Sequence, residues 1–235
     1  MATRPTHTLS IDVEHWYESF PSALVDAGPE QVRRCRVGVE RALEILGDGG
    51  HTATFFVVGQ VAQDDPEIVH MIARAGHEVA SHGMEHRPLT HQNASTVRQH
   101  LKQSKALLED LSGQKVLGFR APYWSIGQKN LWVLSLIHEA GYRYDASIFP
   151  MRHNGLYGMG QACAEAHILR LDERTELLEV PPTVVTWRGL PIPIGGGAYW
   201  RVLPKSFLLR RLREISAKER KAVLYIHTWE LDPDH

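Results

Sequence analysis

The chain has 235 residues, with 26 Lys and Arg against 27 Asp and Glu and a formal net charge of -1. That balance argues against an electrostatic nucleic-acid binder, and 43% apolar with 23% charged residues excludes a disordered chain. Two cysteines, Cys35 and Cys163, exclude a disulfide framework or a cysteine-rich zinc site, so metal chemistry would fall to carboxylates and the 14 histidines.

The elements repeat one arrangement. A first apolar strand is expected at residues 8–11. Val32, Cys35, Val39, Leu43 and Leu46 mark one face of a helix that Gly49-Gly50 stops before a strand at 51–58. Pro66 opens a second helix at the first-turn position that proline tolerates, lined by Ile68, Val69 and Ile72 and ended by Gly76 before a strand at 77–81. A third helix, with Val97, Leu101, Leu108 and Leu111, ends at Gly113 before a strand at 115–119. A fourth, with Leu131, Leu134 and Ile137, ends at Gly141 before a strand at 142–145. Four helix-glycine-strand units in a row predict a parallel α/β sheet or barrel, and periodicity alone does not separate the two. Residues 151–203 turn rich in Pro and Gly, with short strands at 177–180 and 183–187, and read as an insertion or long active-site loops of the same domain. A helix at 204–215 and a strand at 222–226 return to the α/β pattern. No run approaches the ~18 apolar residues of a membrane span. Residues 1–8 carry no apolar secretory core, so a cytoplasmic location with reduced thiols is expected.

Parallel α/β folds place their chemistry at the carboxyl ends of strands. Here the strand ends are followed by Asp12, Glu14, His15 and Trp16, by His82 and His86, by Arg120, Tyr123 and Trp124, by Asp145, and by His227, Trp229 and Glu230. His82 and His86 are four apart, so a helical turn would bring both imidazoles to one face. With 14 histidines such a pair arises easily by chance, and its weight comes from its place after a strand. Two imidazoles and one carboxylate would leave positions open for water and substrate. Asp12 and Glu14 share a face on an extended chain. Arg120 suits bidentate pairing with a buried carboxylate. His227 reads either as a satisfied core histidine or as a general acid. Trp16, Tyr123, Trp124, Trp200 and Trp229 lie near polar strand ends and could stack on a sugar or pack in the core. The remaining histidines read as surface or capping groups.

Taken together these residues resemble the polysaccharide deacetylase family (NodB-homology domain, carbohydrate esterase family 4). The resemblance runs from about Leu9 to Pro233 and follows five motifs in order. They are Ser10-Ile11-Asp12-Val13-Glu14, His82-Gly83-Met84-Glu85-His86-Arg87-Pro88, Arg120-Ala121-Pro122-Tyr123, Asp145-Ala146-Ser147-Ile148 and Leu224-Tyr225-Ile226-His227. The core strand Thr54-Phe55-Phe56-Val57 also matches. The D-V-E start, Ile148-Phe149-Pro150, Gly195-Gly196-Gly197-Ala198-Tyr199 and Trp229-Glu230-Leu231-Asp232-Pro233 are similar to the subgroup linked with exopolysaccharide export and exosortase clusters.

The resemblance implies a distorted (β/α) barrel and a single deacetylase domain over residues 1–235. It implies metal-dependent hydrolysis of N-acetyl groups on N-acetylhexosamine units of a polysaccharide. Glu14, His82 and His86 would hold the divalent ion, with zinc expected and cobalt, nickel or manganese also suited. Asp12 would be the base, oriented by Arg120. His227 would be the acid, its charge set by Asp145, and Tyr123 and Trp124 would meet the substrate. Two positions depart from the pattern. His15 stands where the subgroup usually has Asp, which makes His15 a competing third ligand to Glu14, and Thr228 replaces a proline. Two other readings are a metal-independent amidase acting on a small cyclic amide and a non-catalytic glycan-binding protein of an export machinery.

Overall fold

The computed structural model describes residues 7–19, 29–151 and 158–234. His153 and His235 lie outside them, as does the side chain of Val32. The strands are β1 (Thr8–Val13), β2 (Thr54–Val57), β3 (Glu78–Ser81), β4 (Gly118–Phe119), β5 (Tyr144–Asp145), β6 (His167–Arg170), β7 (Glu176–Glu179), β8 (Val184–Trp187), β9 (Leu190–Pro193) and β10 (Val223–His227). The helices are α1 (Pro29–Gly49), α2 (Gly59–Asp64), α3 (Pro66–Arg74), α4 (Ala94–Ser112), α5 (Trp132–Glu139), α6 (Ala198–Val202) and α7 (Lys205–Ala217). None of the described helices is long and apolar enough to cross a membrane.

Eight strands form one sheet in the order β10-β1-β2-β3-β4-β5-β7-β6, parallel throughout except for β6. The sheet is curled into an incomplete barrel, and among the described strands its edges β10 and β6 do not pair with each other. Strand β2 shows why the inner strands form: Thr-Phe-Phe-Val is β-branched and aromatic, and its last three residues are buried.

The helices cover the outside with apolar stripes. On α1 Cys35, Val39, Ala42 and Leu46 are buried, and on α4 Val97, Leu101, Ser104 and Leu108. Asn93 caps α4 by accepting from the Thr96 amide at 3.0 Å, and Gly113 ends it at φ 66, the left-handed turn that glycine adopts without strain.

The expected elements are present with shifted bounds: β1 runs two residues further than expected, whereas β4 and β5 keep only the last two residues of their runs. Three features differ from expectation. Helix α2 was not anticipated; its six residues are too few to show a helical period. The irregular middle is in part regular: β7 pairs with β5 and β6 with β7, extending the main sheet, while β8 and β9 make a separate hairpin. That hairpin packs on α7 through Val185, Ile192, Phe207, Leu208 and Leu212. His77, read as a surface group, is buried against the Phe55 ring.

Candidate active site

Strand register gathers the polar residues. Asp12 lies beside His227 on one side and Phe56 on the other; Ser81 lies beside Phe119, Phe119 beside Asp145, and Asp145 beside Glu179. One rim of the sheet therefore carries Asp12, His227, Asp145 and Glu179, with Glu14, His82 and Arg120 one to two residues further along the chain.

At the centre of that rim, ligand atoms of Glu14, His82 and His86 all lie within 4.8 Å of one another, and all three residues are buried. Glu14 Oε2 is 2.6 Å from His86 Nε2 and 3.4 Å from His82 Nε2. His82 Nδ1 faces the Arg120 carbonyl at 2.8 Å, which fixes the ring with Nε2 toward Glu14. Two imidazole nitrogens and a carboxylate suit a divalent cation of the zinc type. Burial opposes the charge on Glu14, but His86 and His227, with hydrogen bonds from His82 and His86, hold its carboxyl well below the usual range. The Trp229 indole N–H donates to Glu14 Oε1 at 3.2 Å.

The two imidazoles meet without the helical turn that their spacing suggested. Residues 82–88 form a bend in which Gly83 has φ 85, and the ring centroids come to 5.2 Å. The bend is tied down by the amides of Gly59 and Gln60, which donate to the carbonyls of Gly83 and Met84 at 2.8 Å each. The unanticipated α2 thus seats the metal-site loop. His15 does not join the cluster. Its Nε2 lies 3.7 Å from Asp64 Oδ2 and its ring stacks on Tyr17.

Beside the cluster Asp12 is paired with Arg120. Arg120 is 1% exposed, so its charge must be satisfied internally. It donates from Nη1 to Asp12 Oδ1 at 2.5 Å, from Nη2 to Ser10 Oγ at 3.0 Å and from Nε to the Ala146 carbonyl at 3.3 Å. Its guanidinium lies 4.0 Å from the centre of the Phe56 ring and 4.7 Å from that of Trp124.

On the far side His227 Nε2 is 4.0 Å from Glu14 Oε1, and its Nδ1 meets Glu230 Oε1 at 3.1 Å. Burial works against protonation of this imidazole. Glu14, the hydrogen bond to Glu230 and the charge of Asp12 overcome that and push it up to about 9.

Two residues fall differently from expectation. Asp145 does not contact His227. It accepts from the Ser147 hydroxyl at 2.6 Å and faces Glu179, because β4 and β5 set it on the opposite side of Arg120. Glu230, three residues on in the turn after β10, holds His227 instead. Trp124 is buried between Phe149 and Tyr225 and covers Arg120, so it packs instead of presenting a face to the cleft. Tyr123 stays at the site, its ring 4.5 Å from that of His86, in a left-handed conformation at φ 57. Sequence reasoning assigned no role to Ser10 or Glu179, placed Glu230 at a strand end without giving it a task, and read Trp229 as a stacking or packing aromatic and not as a hydrogen-bond donor to Glu14. Ser10 and Glu179 are polar groups within apolar strands, a signal that could have marked them.

The fold and this site define a class of proteins: a curled α/β barrel with a carboxylate and two imidazoles at its carboxyl rim, beside an Asp–Arg pair and a carboxylate-bound histidine. Residues 22–144 match the polysaccharide deacetylase family, and the chain belongs to it. Residues 146–235 match a domain family of unknown function.

Among curated relatives, the peptidoglycan deacetylase of Helicobacter pylori is 31% identical over 112 residues, 48% of this chain and 37% of that protein. The chitooligosaccharide deacetylase of Sinorhizobium fredii is 36% identical over 103 residues, 43% of this chain and 46% of that one. The chain thus spans a third to a half of the length of the curated relatives it matches. A Mycobacterium smegmatis structure described as a polysaccharide deacetylase aligns over 97% of this chain and 79% of its own, with 25% identity and a TM-score of 0.69. An allantoinase aligns over 96% of this chain and 78% of its own at a TM-score of 0.68, but with 16% identity it shares the fold alone.

Proposed function

We propose that this chain is a metal-dependent deacetylase that hydrolyses N-acetyl groups on N-acetylhexosamine units of a polysaccharide, with residues 1–235 acting as one domain. The observation that carries the reading is the Glu14, His82 and His86 cluster flanked by Asp12–Arg120 on one side and His227–Glu230 on the other. A binding protein has no need of a buried base and a half-buried acid on opposite sides of one cation site.

Glu14, His82 and His86 would hold the ion. When bound, a divalent ion supplies Lewis acidity toward the acetyl carbonyl and lowers the pKa of its water toward about 7. Asp12 takes the proton of the attacking water. Arg120 pairs with the Asp12 carboxylate and orients it for the role of base. Nδ1 of His227 is held by Glu230, which leaves Nε2 as the edge that protonates the departing amine. Tyr123 borders the place of the acetyl group, and a backbone N–H beside it would stabilise the oxyanion. Acetate and a free amino sugar are the products.

The test is acetate release from N-acetylglucosamine oligomers by protein stripped with a chelator and then reloaded. Loss on stripping and recovery on reloading support the reading. Turnover unchanged by stripping would refute the metal role, and oligomer binding without acetate release would point to a glycan-binding protein.

The finer assignment is to exopolysaccharide biosynthesis. It is supported by the Ile148-Phe149-Pro150, Gly195–Tyr199 and Trp229–Pro233 segments. Deleting the gene should raise the acetyl content of the secreted polysaccharide; an unchanged polymer would refute the assignment.

A further inference from the structure

Glu179 lies outside every motif that carries the proposed chemistry, yet it is fully buried at the end of β7, in register with Asp145 at the end of β5. The two carboxyl groups are within hydrogen-bonding reach of each other. Glu179 Oε1 accepts from the Ile148 amide at 3.0 Å, whereas Oε2 receives no N–H or O–H from any described residue. Ionised carboxylates only accept. Two of them in contact would place two buried like charges together. A single proton between them removes that penalty and gives one oxygen a donor.

Resting on the deacetylase reading above, we propose that Glu179 is a positioning residue of the active site: it shares one proton with Asp145, and the pair locks the turn that holds Arg120 against Asp12. Asp145 accepts from the Ser147 hydroxyl at 2.6 Å, and that hydroxyl accepts from the Ala121 amide, next to Arg120, at 2.8 Å. Glu179 anchors Ile148, and between these two points the Ala146 carbonyl receives Arg120 Nε. One shared proton also limits the pair to one negative charge, so that it does not compete with Asp12 for Arg120.

The groups that set the pair's proton are few. Asp145 comes from β5 and Arg120 from the end of β4. His167, the register partner of Glu179 on β6, turns its Nδ1 to the Glu165 carbonyl. On α5, which packs against β7, the titratable groups are His138 and Glu139, and Glu139 pairs with Arg98. Burial, then the neighbouring Asp145, raise the Glu179 carboxyl well above its usual range, and burial raises Asp145 in turn.

The experiment has two arms on the metal-loaded chain. The first is infrared spectroscopy, which reads the pair whether or not acetate is released. A protonated-carboxyl C=O band should persist in the wild type at neutral pH and vanish in Glu179→Gln. No such band in the wild type, or one that survives in Glu179→Gln, would overturn the shared proton. The second arm is the kinetics of acetate release. Gln keeps both contacts through its oxygen and amide, so Glu179→Gln should retain activity, with the alkaline decline that follows loss of the His227 proton at about 9 common to it and the wild type. Glu179→Ala should lose about 10²-fold in kcat with KM and metal content unchanged. Wild-type kcat in Glu179→Ala, or a loss in Glu179→Gln as large as in Glu179→Ala, would overturn the positioning role. Absence of acetate release from the wild type would instead count against the deacetylase reading, and the infrared arm would still decide the pair.

Discussion

Glu14, just past the end of β1, and Glu179, at the end of β7, are both buried on the same rim of the sheet. Around Glu14 stand the imidazoles of His82, His86 and His227 and the Trp229 N–H; beside Glu179 stands another carboxyl group. Burial alone would neutralise both. The imidazole end keeps its glutamate ionised, fit to hold a cation. The carboxyl end keeps its glutamate protonated, fit to hold a turn. Arg120 stands between the two ends, bonded to Asp12 on one side and to the Ala146 carbonyl on the other. Identical side chains under similar burial thus take different roles from their neighbours.

The largest effects are expected where chemistry depends on the imidazole end. Asp12→Asn and His227→Ala should each lower kcat about 10²–10⁴-fold in acetate release, and a near-wild-type rate in either would break the assignment of base and acid. Next comes the residue between the two ends. Arg120→Met leaves the Asp12 carboxylate buried and unpaired, with an expected loss of about 3–5 kcal/mol in urea unfolding; a loss below about 1 kcal/mol would show that Asp12 is satisfied by other groups.

The two glutamates should then separate by pH. A raised carboxyl contributes stability that is fully present below the unfolded value near ~4.3 and is lost as pH rises through the folded one. The wild type should therefore gain on Glu179→Gln in acid and lose that advantage toward alkaline pH. Glu14 is depressed, so in metal-free protein its contribution is present above ~4.3 and lost as pH falls through its folded value. Unfolding midpoints of the wild type, Glu14→Gln and Glu179→Gln across pH would show slopes of opposite sign; parallel slopes would break the comparison. The smallest effect is local: Gly83→Ala forces a side chain to φ 85 and should cost roughly 1–2 kcal/mol, read as a shift in urea midpoint.

Much of the imidazole end was legible in the sequence. Asp12, Glu14, His82 and His86 follow two apolar strands at short spacing, and the position of each on the rim follows from strand direction alone. The helix-glycine-strand units gave the α/β order for the same reason: helical and strand periods are local signals. The carboxyl end was not legible, because its partners meet through register between strands far apart in the chain. Asp145 looks like a partner for His227 when read in motif order, but the order of strands in the sheet sends it to Glu179. Trp124 follows a motif and looks exposed, yet Arg120 needs an aromatic cover and Trp124 supplies it. The bend at Gly83 was hidden by a spacing that helices also produce. The Glu14–His15 ambiguity could not be resolved by spacing, since adjacent residues on one chain segment differ only in which way each side chain turns.

The most direct measurement is the metal content, after dialysis against limiting zinc, of the wild type, Glu14→Gln and His15→Gln. One ion per chain in the wild type and in His15→Gln, with loss in Glu14→Gln, is the predicted result. Retention in Glu14→Gln with loss in His15→Gln would contradict the account at its centre.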